Sequence, residues 1–223
     1  MDYIRINGYK SFKKLSVQLR PINFLIGANG AGKSNFLSLF EMLGNNLAAM
    51  LYRIQREKPM AYRRIIRVIQ SVAPYFSDFY FQPTEADMVR LQWQDKYSSM
   101  IYGPTDLSDG TIRFIALVVL FMQPWLPKVI IIDEPELGLH PIAIEKLSGL
   151  IRMAAQKGTQ VIIATQSAEL ISNFEPEDVL TVDQNEEGST IKRLDRAALE
   201  HWLDEYTLGD LWKQNIMKGG QPR

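Results

Sequence analysis

GANGAGKS, residues 27–34, follows the apolar stretch INFLI (22–26) and leads into SNFLSLFEMLG (34–44). An apolar strand that runs through a glycine-rich turn into a helix is the setting in which G-x-x-x-x-G-K-[ST] has physical meaning. Gly27, Gly30 and Gly32 let backbone N–H groups curl around phosphate oxygens, and the helix that follows adds the positive end of its dipole. Lys33 reaches the β- and γ-phosphates, and Ser34 offers its hydroxyl to Mg2+. Asn29 and Asn35 belong to the same nucleotide-binding set. The stretch predicts a nucleoside triphosphate site with ATP and Mg2+ as cofactors, inside an α/β fold.

A second motif fits the first. VIIIDEPE (129–136) places two carboxylates where a buried strand emerges at the ligand edge of a sheet. Asp133 is expected to hold the magnesium, directly or through water, and Glu134 to polarise an attacking water. Taken alone, such a pair also reads as turn acids after a strand. Together the two motifs indicate a P-loop ATPase of the additional-strand type.

Composition removes competing classes. With 223 residues, 46% of them hydrophobic, the chain can bury a sizeable core. The 25 Lys and Arg balance the 25 Asp and Glu, so the total charge favours neither nucleic acid nor an anionic membrane. The lack of cysteine excludes disulfides, thiolate metal sites and cysteine nucleophiles, and fits a reducing, cytoplasmic setting. The longest apolar run, FIALVVLFM (114–122), is about half of a bilayer span, and MDYIRINGYKSF lacks the apolar core of a signal peptide. No membrane association is expected.

Outward from the phosphate loop, IRINGYKSF (4–12) and VQLRPINFLIG (17–27) read as two strands. Residues 46–72 read as helices broken at Pro59, carrying Arg53, Arg56, Lys58, Arg63, Arg64 and Arg67 against Glu57. This is the only basic concentration, and it reads either as a solvated helix face or as a surface for phosphates. DFYFQP (78–83) and MVRLQWQ (88–94) suggest a small β-hairpin. Beyond residue 128, KVIIID, PIAIEKLSGLIRMAAQ, TQVIIATQS and SAELISNF alternate strand with helix, which implies a mostly parallel sheet flanked by helices. DVLTVD and STIKRLD read as two further strands, and EHWLDEY and LGDLWKQNIM as helices. The expected organisation is one domain over 1–223, with a short helical and hairpin insertion at 46–104 and C-terminal strands and helices at 174–223.

LSDGTIRF (107–114) narrows the class. Ser108 caps an apolar helix and Asp109 suits its first turn, but Gly110 weakens a helix start unless something approaches the backbone closely. LSDGT in this spacing resembles the signature of ABC-type ATPases, which in transporters usually reads L-S-G-G-Q. GYKSF (8–12) is similar to the opening strand of SMC and RecF proteins, and DEPELGLHP (133–141) resembles the acid motif of RecF-like and OLD-like ATPases. The chain thus resembles the RecF/SMC-like branch over residues 1–45 and about 105–215, with the P-loop NTPase, ABC-head fold that this implies.

By that resemblance Ser108 and Gly110 meet the γ-phosphate of an ATP held by a second subunit. His140 takes the place of an aspartate that communicates across the dimer, and Gln166 in ATQS takes the place of a switch histidine. Gln166 can donate a hydrogen bond to the γ-phosphate but cannot take up a proton. His140 also reads as an ordinary helix-start residue, and Gln166 as a polar strand end. The long arm and small antiparallel sheet usual in the family are shortened here, so no glutamine-loop residue is assigned, Gln82 being a weak candidate. The resemblance implies an ATP-hydrolysing homodimer that acts on DNA in repair or chromosome maintenance, or on a separate effector protein in anti-phage or toxin–antitoxin regulation. A weakly hydrolysing nucleotide scaffold is the third alternative.

Overall fold

The structure, a computed structural model, describes residues 3–9, 12–27, 47–83, 89–185 and 188–217. In chain order the elements begin with β1 (Tyr3–Tyr9), β2 (Phe12–Gln18) and β3 (Ile22–Ile26), followed by α1 (Leu47–Glu57) and α2 (Pro59–Gln70). β4 (Phe76–Pro83), β5 (Val89–Asp95) and β6 (Ile101–Tyr102) precede α3 (Asp109–Met122), β7 (Val129–Asp133), α4 (Pro141–Gln156) and β8 (Gln160–Ala164). The chain closes with α5 (Ala168–Ile171), β9 (Val179–Asn185), β10 (Gly188–Arg193), α6 (Arg196–Leu203) and α7 (Leu208–Lys213). The stretch read as one strand over 17–27 is two, because Pro21, which cannot donate to a ladder, falls between β2 and β3.

The described chain packs as two compact units. The first comprises Met1–Met42, Pro127–Glu136 and Ile151–Arg223. Its sheet has the order β10-β9-β3-β8-β7, parallel throughout except for the antiparallel β9–β10 pair. Parallel strands covered on both faces are apolar without alternation. β8 follows that rule, since Val161, Ile162, Ile163 and Ala164 are all fully buried. The β1–β2 hairpin joins this unit, its end held by Arg193, whose guanidinium donates to the Gln18 carbonyl and to Oδ1 of fully buried Asn23, each at 2.8 Å. Because β3, β8 and β7 are adjacent and parallel, the residues after their C-terminal ends share one sheet edge. Those are Gly27, Thr165–Gln166 and Asp133–Glu134.

The second unit comprises Leu43–Leu126 and Leu137–Leu150. α1 and α2 bury Leu51, Ile54, Ile65 and Ile69 on one face and expose arginines on the other. The expected β4–β5 hairpin is present and gains a third strand, β6. Trp93 organises this sheet, stacking on Tyr102 at 4.9 Å and donating its indole N–H to the Gly103 carbonyl at 2.9 Å. Among the described residues no helix is long and apolar enough to cross a membrane.

Candidate nucleotide site

The acid motif and the end of β8 meet in the first unit. β7 pairs with β8 up to Asp133 opposite Ala164, and the ladder extends one step further as the Glu134 N–H donates to the Ala164 carbonyl at 2.8 Å. Glu134 itself has φ of 45°, a left-handed backbone that a non-glycine residue adopts at a cost of about 1–3 kcal/mol. Its carboxylate accepts a hydrogen bond from the Gln166 side-chain amide at 3.2 Å. The two residues read separately from DEPE and ATQS therefore touch, forming an acceptor for a water proton beside an amide donor. Asp133 is exposed at the strand end. Mg2+ takes one or two carboxylates, phosphate oxygens and waters, and an exposed carboxylate at a strand end is of the type it takes.

Gly27 stands directly after β3, and a Cβ there would come under 3.0 Å from the Val182 carbonyl oxygen of β9. Packing alone thus calls for glycine at the first position of the GANGAGKS stretch. Asn29, Gly30, Gly32, Lys33, Ser34 and Asn35 lie outside the described residues, as does the helix expected after them.

The signature stretch belongs to the second unit. Ser108 is the N-cap of α3, its hydroxyl accepting from the Thr111 N–H at 3.2 Å, as its residue type predicts. Ser108 and Asp109 are exposed. A Cβ on Gly110 would fall under 3.0 Å from the Gly138 carbonyl oxygen, and Gly138 is itself left-handed, with φ of 75°. The awkward glycine has an intramolecular reason: the loop after the acid motif presses on the start of α3. His140 ends that loop, exposed, with Nδ1 accepting from the Ile142 N–H at 3.3 Å at the start of α4. A neutral ring in that bond carries its proton on Nε2.

Two participants escaped the sequence reading. Glu136, only 9% exposed, accepts a hydrogen bond on Oε1 from the hydroxyl of completely buried Thr165. Burial pushes the Glu136 carboxyl above the usual carboxylate range, although the Thr165 bond opposes this. The third acid of DEPE and the threonine before Gln166 were the available signals. The basic helices divide as well. Arg53 is engaged by Glu57 at 3.0 Å and by the Trp125 ring at 4.2 Å, and Arg56 by Tyr52. Arg63, Arg64 and Arg67 are exposed and have no ion-pair partner among the described residues.

The chain is similar to known ATPases over much of its length. A family model described as "AAA ATPase domain" matches residues 1–92, and one described as "AAA domain, putative AbiEii toxin, Type IV TA system" matches residues 103–172. A putative ABC transporter ATP-binding protein of Clostridium tetani is 24% identical over 187 residues, covering 75% of this chain and 42% of the relative. The energy-coupling factor transporter ATP-binding protein EcfA of Methanocaldococcus jannaschii is 29% identical over 189 residues, covering 69% of this chain and 66% of the relative. The chain thus spans about half to two thirds of such relatives. Among solved structures, an SMC head bound to the C-winged helix domain of ScpA superposes with a TM-score of 0.65 at 13% identity, covering 89% of this chain and 99% of the other. A structure described under ATP-driven dimerization and DNA stimulated activation of SMC ATPases superposes with a TM-score of 0.50 at 15% identity, covering 70% of this chain and 96% of the other. The chain thus has the fold of an SMC head, is similar over two stretches to ATPase family models, and brings the Glu134 carboxylate of its acid motif onto Gln166 beyond the end of β8.

Proposed function

We propose that two copies of this chain close around two ATP molecules. One copy holds each nucleotide through its phosphate loop (Gly27, Asn29, Gly30, Gly32, Lys33, Ser34 and Asn35), with Asp133 and Ser34 on Mg2+. Glu134 takes the proton of the attacking water, while Gln166 steadies that carboxylate and donates toward the γ-phosphate. The other copy supplies Ser108, the bare backbone at Gly110 and His140. The observation that carries this is the contact between Gly110 and Gly138, which joins the start of α3 to the loop ending at His140. One feature of the second unit therefore bears every group assigned to a partner's nucleotide. Exposed Leu137 and Ile142 flank His140 and suit a surface that becomes covered.

The energetics favour a switch over a permanent dimer. Hydrogen bonds to charged groups contribute about 1.5–3 kcal/mol each, so two or three per site, doubled by two-fold symmetry, give roughly 6–18 kcal/mol gross. Association costs on the order of 4–15 kcal/mol. The near balance predicts closure with ATP and opening after hydrolysis. The test is the solution mass of the Glu134→Gln variant with and without ATP: doubling with ATP is expected, and a monomer in both conditions overturns the model. Ser108→Arg should leave ATP binding intact and abolish the doubling.

The output of that switch is taken to be DNA repair or chromosome maintenance in the cytoplasm, in keeping with the SMC-like fold and with DNA-stimulated activation of the SMC ATPase noted above. Exposed Arg63, Arg64 and Arg67 supply phosphate contacts, so DNA binding should be salt-dependent and weaken when Arg63 and Arg64 are replaced. A second reading is control of a separate effector in a toxin–antitoxin or anti-phage system. It is favoured by the toxin-system family model over the signature and acid motif.

A further inference from the structure

Thr165 and Glu136 take no part in the reaction proposed above, yet their buried side chains meet beside it. The Thr165 N–H donates to the Leu25 carbonyl at 3.0 Å, tying the end of β8 to β3 just before the phosphate loop. Its Oγ1 accepts from the Ser167 N–H at 2.9 Å, fixing the start of α5. The hydroxyl proton goes to Glu136 Oε1, so every hydrogen-bonding capacity named here is directed. On either side, the Ala164 carbonyl holds the Glu134 N–H and the Gln166 amide holds the Glu134 carboxylate. Three successive residues thus grip the acid loop at two of its carboxyl-bearing positions.

Glu136 is an unusual choice for such a place. Its Oε2 is buried with no hydrogen-bond partner among the described residues, a group that is costly to keep and that packing alone would replace with an apolar side chain. What the carboxyl provides that a hydrocarbon cannot is an acceptor for Thr165. That bond holds the backbone from which Gln166 projects, opposite a Glu134 whose left-handed conformation needs external support.

We propose that Thr165 and Glu136 are positioning residues for ATP hydrolysis, their hydrogen bond fixing the end of β8 so that the Gln166 amide is held on the Glu134 carboxylate. This rests on the roles given to Glu134 and Gln166 above. The experiment measures steady-state ATP turnover and, separately, affinity for a fluorescent ATP analogue in Thr165→Val, Thr165→Ser, Glu136→Met and Glu136→Gln. Losing one directed hydrogen bond should lower kcat about tenfold in the Val and Met variants, with nucleotide affinity unchanged. The Ser and Gln variants, which keep the hydroxyl and a carbonyl acceptor, should return kcat toward wild type. Adding Thr165→Val to Glu134→Gln should cause no further loss, because the group being positioned is gone. Wild-type kcat in both the Val and Met variants overturns the proposal, and so does a loss of kcat matched by lost affinity or failure to fold in both. If Glu134→Gln turns over like wild type, the catalytic assignment itself fails. If Glu134→Gln is inactive while Thr165→Val is fully active, only the positioning role fails.

Discussion

The end of β8 and the start of α3 both present polar groups expected to meet a γ-phosphate, but they are held by opposite means. At the end of β8, side chains do the holding: Gln166 on Glu134, Thr165 on Glu136, with a left-handed backbone in the middle. At the start of α3 the backbone does it: Gly110 lies against the Gly138 carbonyl, and the polar side chains Ser108 and His140 are exposed, each engaged in a local bond at a helix start. The first region is adapted to fix two reacting groups relative to each other. The second offers a firm backbone shape with exposed polar side chains. In the dimer proposed above, a phosphate approached from two molecules calls for that division, since the arriving half must keep its form while exposed to water.

The sharpest way to break the comparison is at Glu134. Glu134→Gln preserves shape and the contact with Gln166, yet removes the proton acceptor, so turnover should fall about 10²–10⁴-fold while ATP affinity is retained. A loss of affinity as large as the loss of rate would mean that this corner binds nucleotide and does no chemistry. At the other region the expected effect is structural. Gly110→Ala drives a Cβ into a carbonyl oxygen that belongs to backbone, and should cost about 1–3 kcal/mol in urea-induced unfolding. Unchanged stability would show that the loop yields easily and that the shape is softer than described.

The smallest effect concerns pH. The folded Glu136 carboxyl lies above its unfolded value, so the folded state binds more protons through that interval. Its contribution is fully present below the ordinary carboxylate range and is lost as pH rises through the folded value. Glu136→Gln should remove that decline from a pH series of unfolding free energies. An identical slope in both proteins would show that the Glu136 carboxyl is not raised in the fold.

Sequence made the first region's participants legible but not their mutual contacts. Asp133, Glu134 and Gln166 follow from strand ends, because parallel strands bring their C-terminal residues to one edge. Glu136 was hidden because an acid two residues after another acid usually reads as solvated turn, and only the fold shows it buried against Thr165. Gly110 was recognised as out of place, but its partner, Gly138, lies 28 positions away and carries no side chain to advertise the contact. Likewise Pro21 marked a break that the apolar run on both sides concealed.

With the role proposed for Glu134, its conformation sets stability against activity at a single position. Glycine, or asparagine with its tolerance for left-handed backbone, would relieve the local strain there and be favoured by any screen for thermal resistance. Either would also delete the carboxylate. Screens that reward robustness should therefore drift toward inactive chains at this residue first, and an intact Glu134 in a stabilised variant marks selection for turnover.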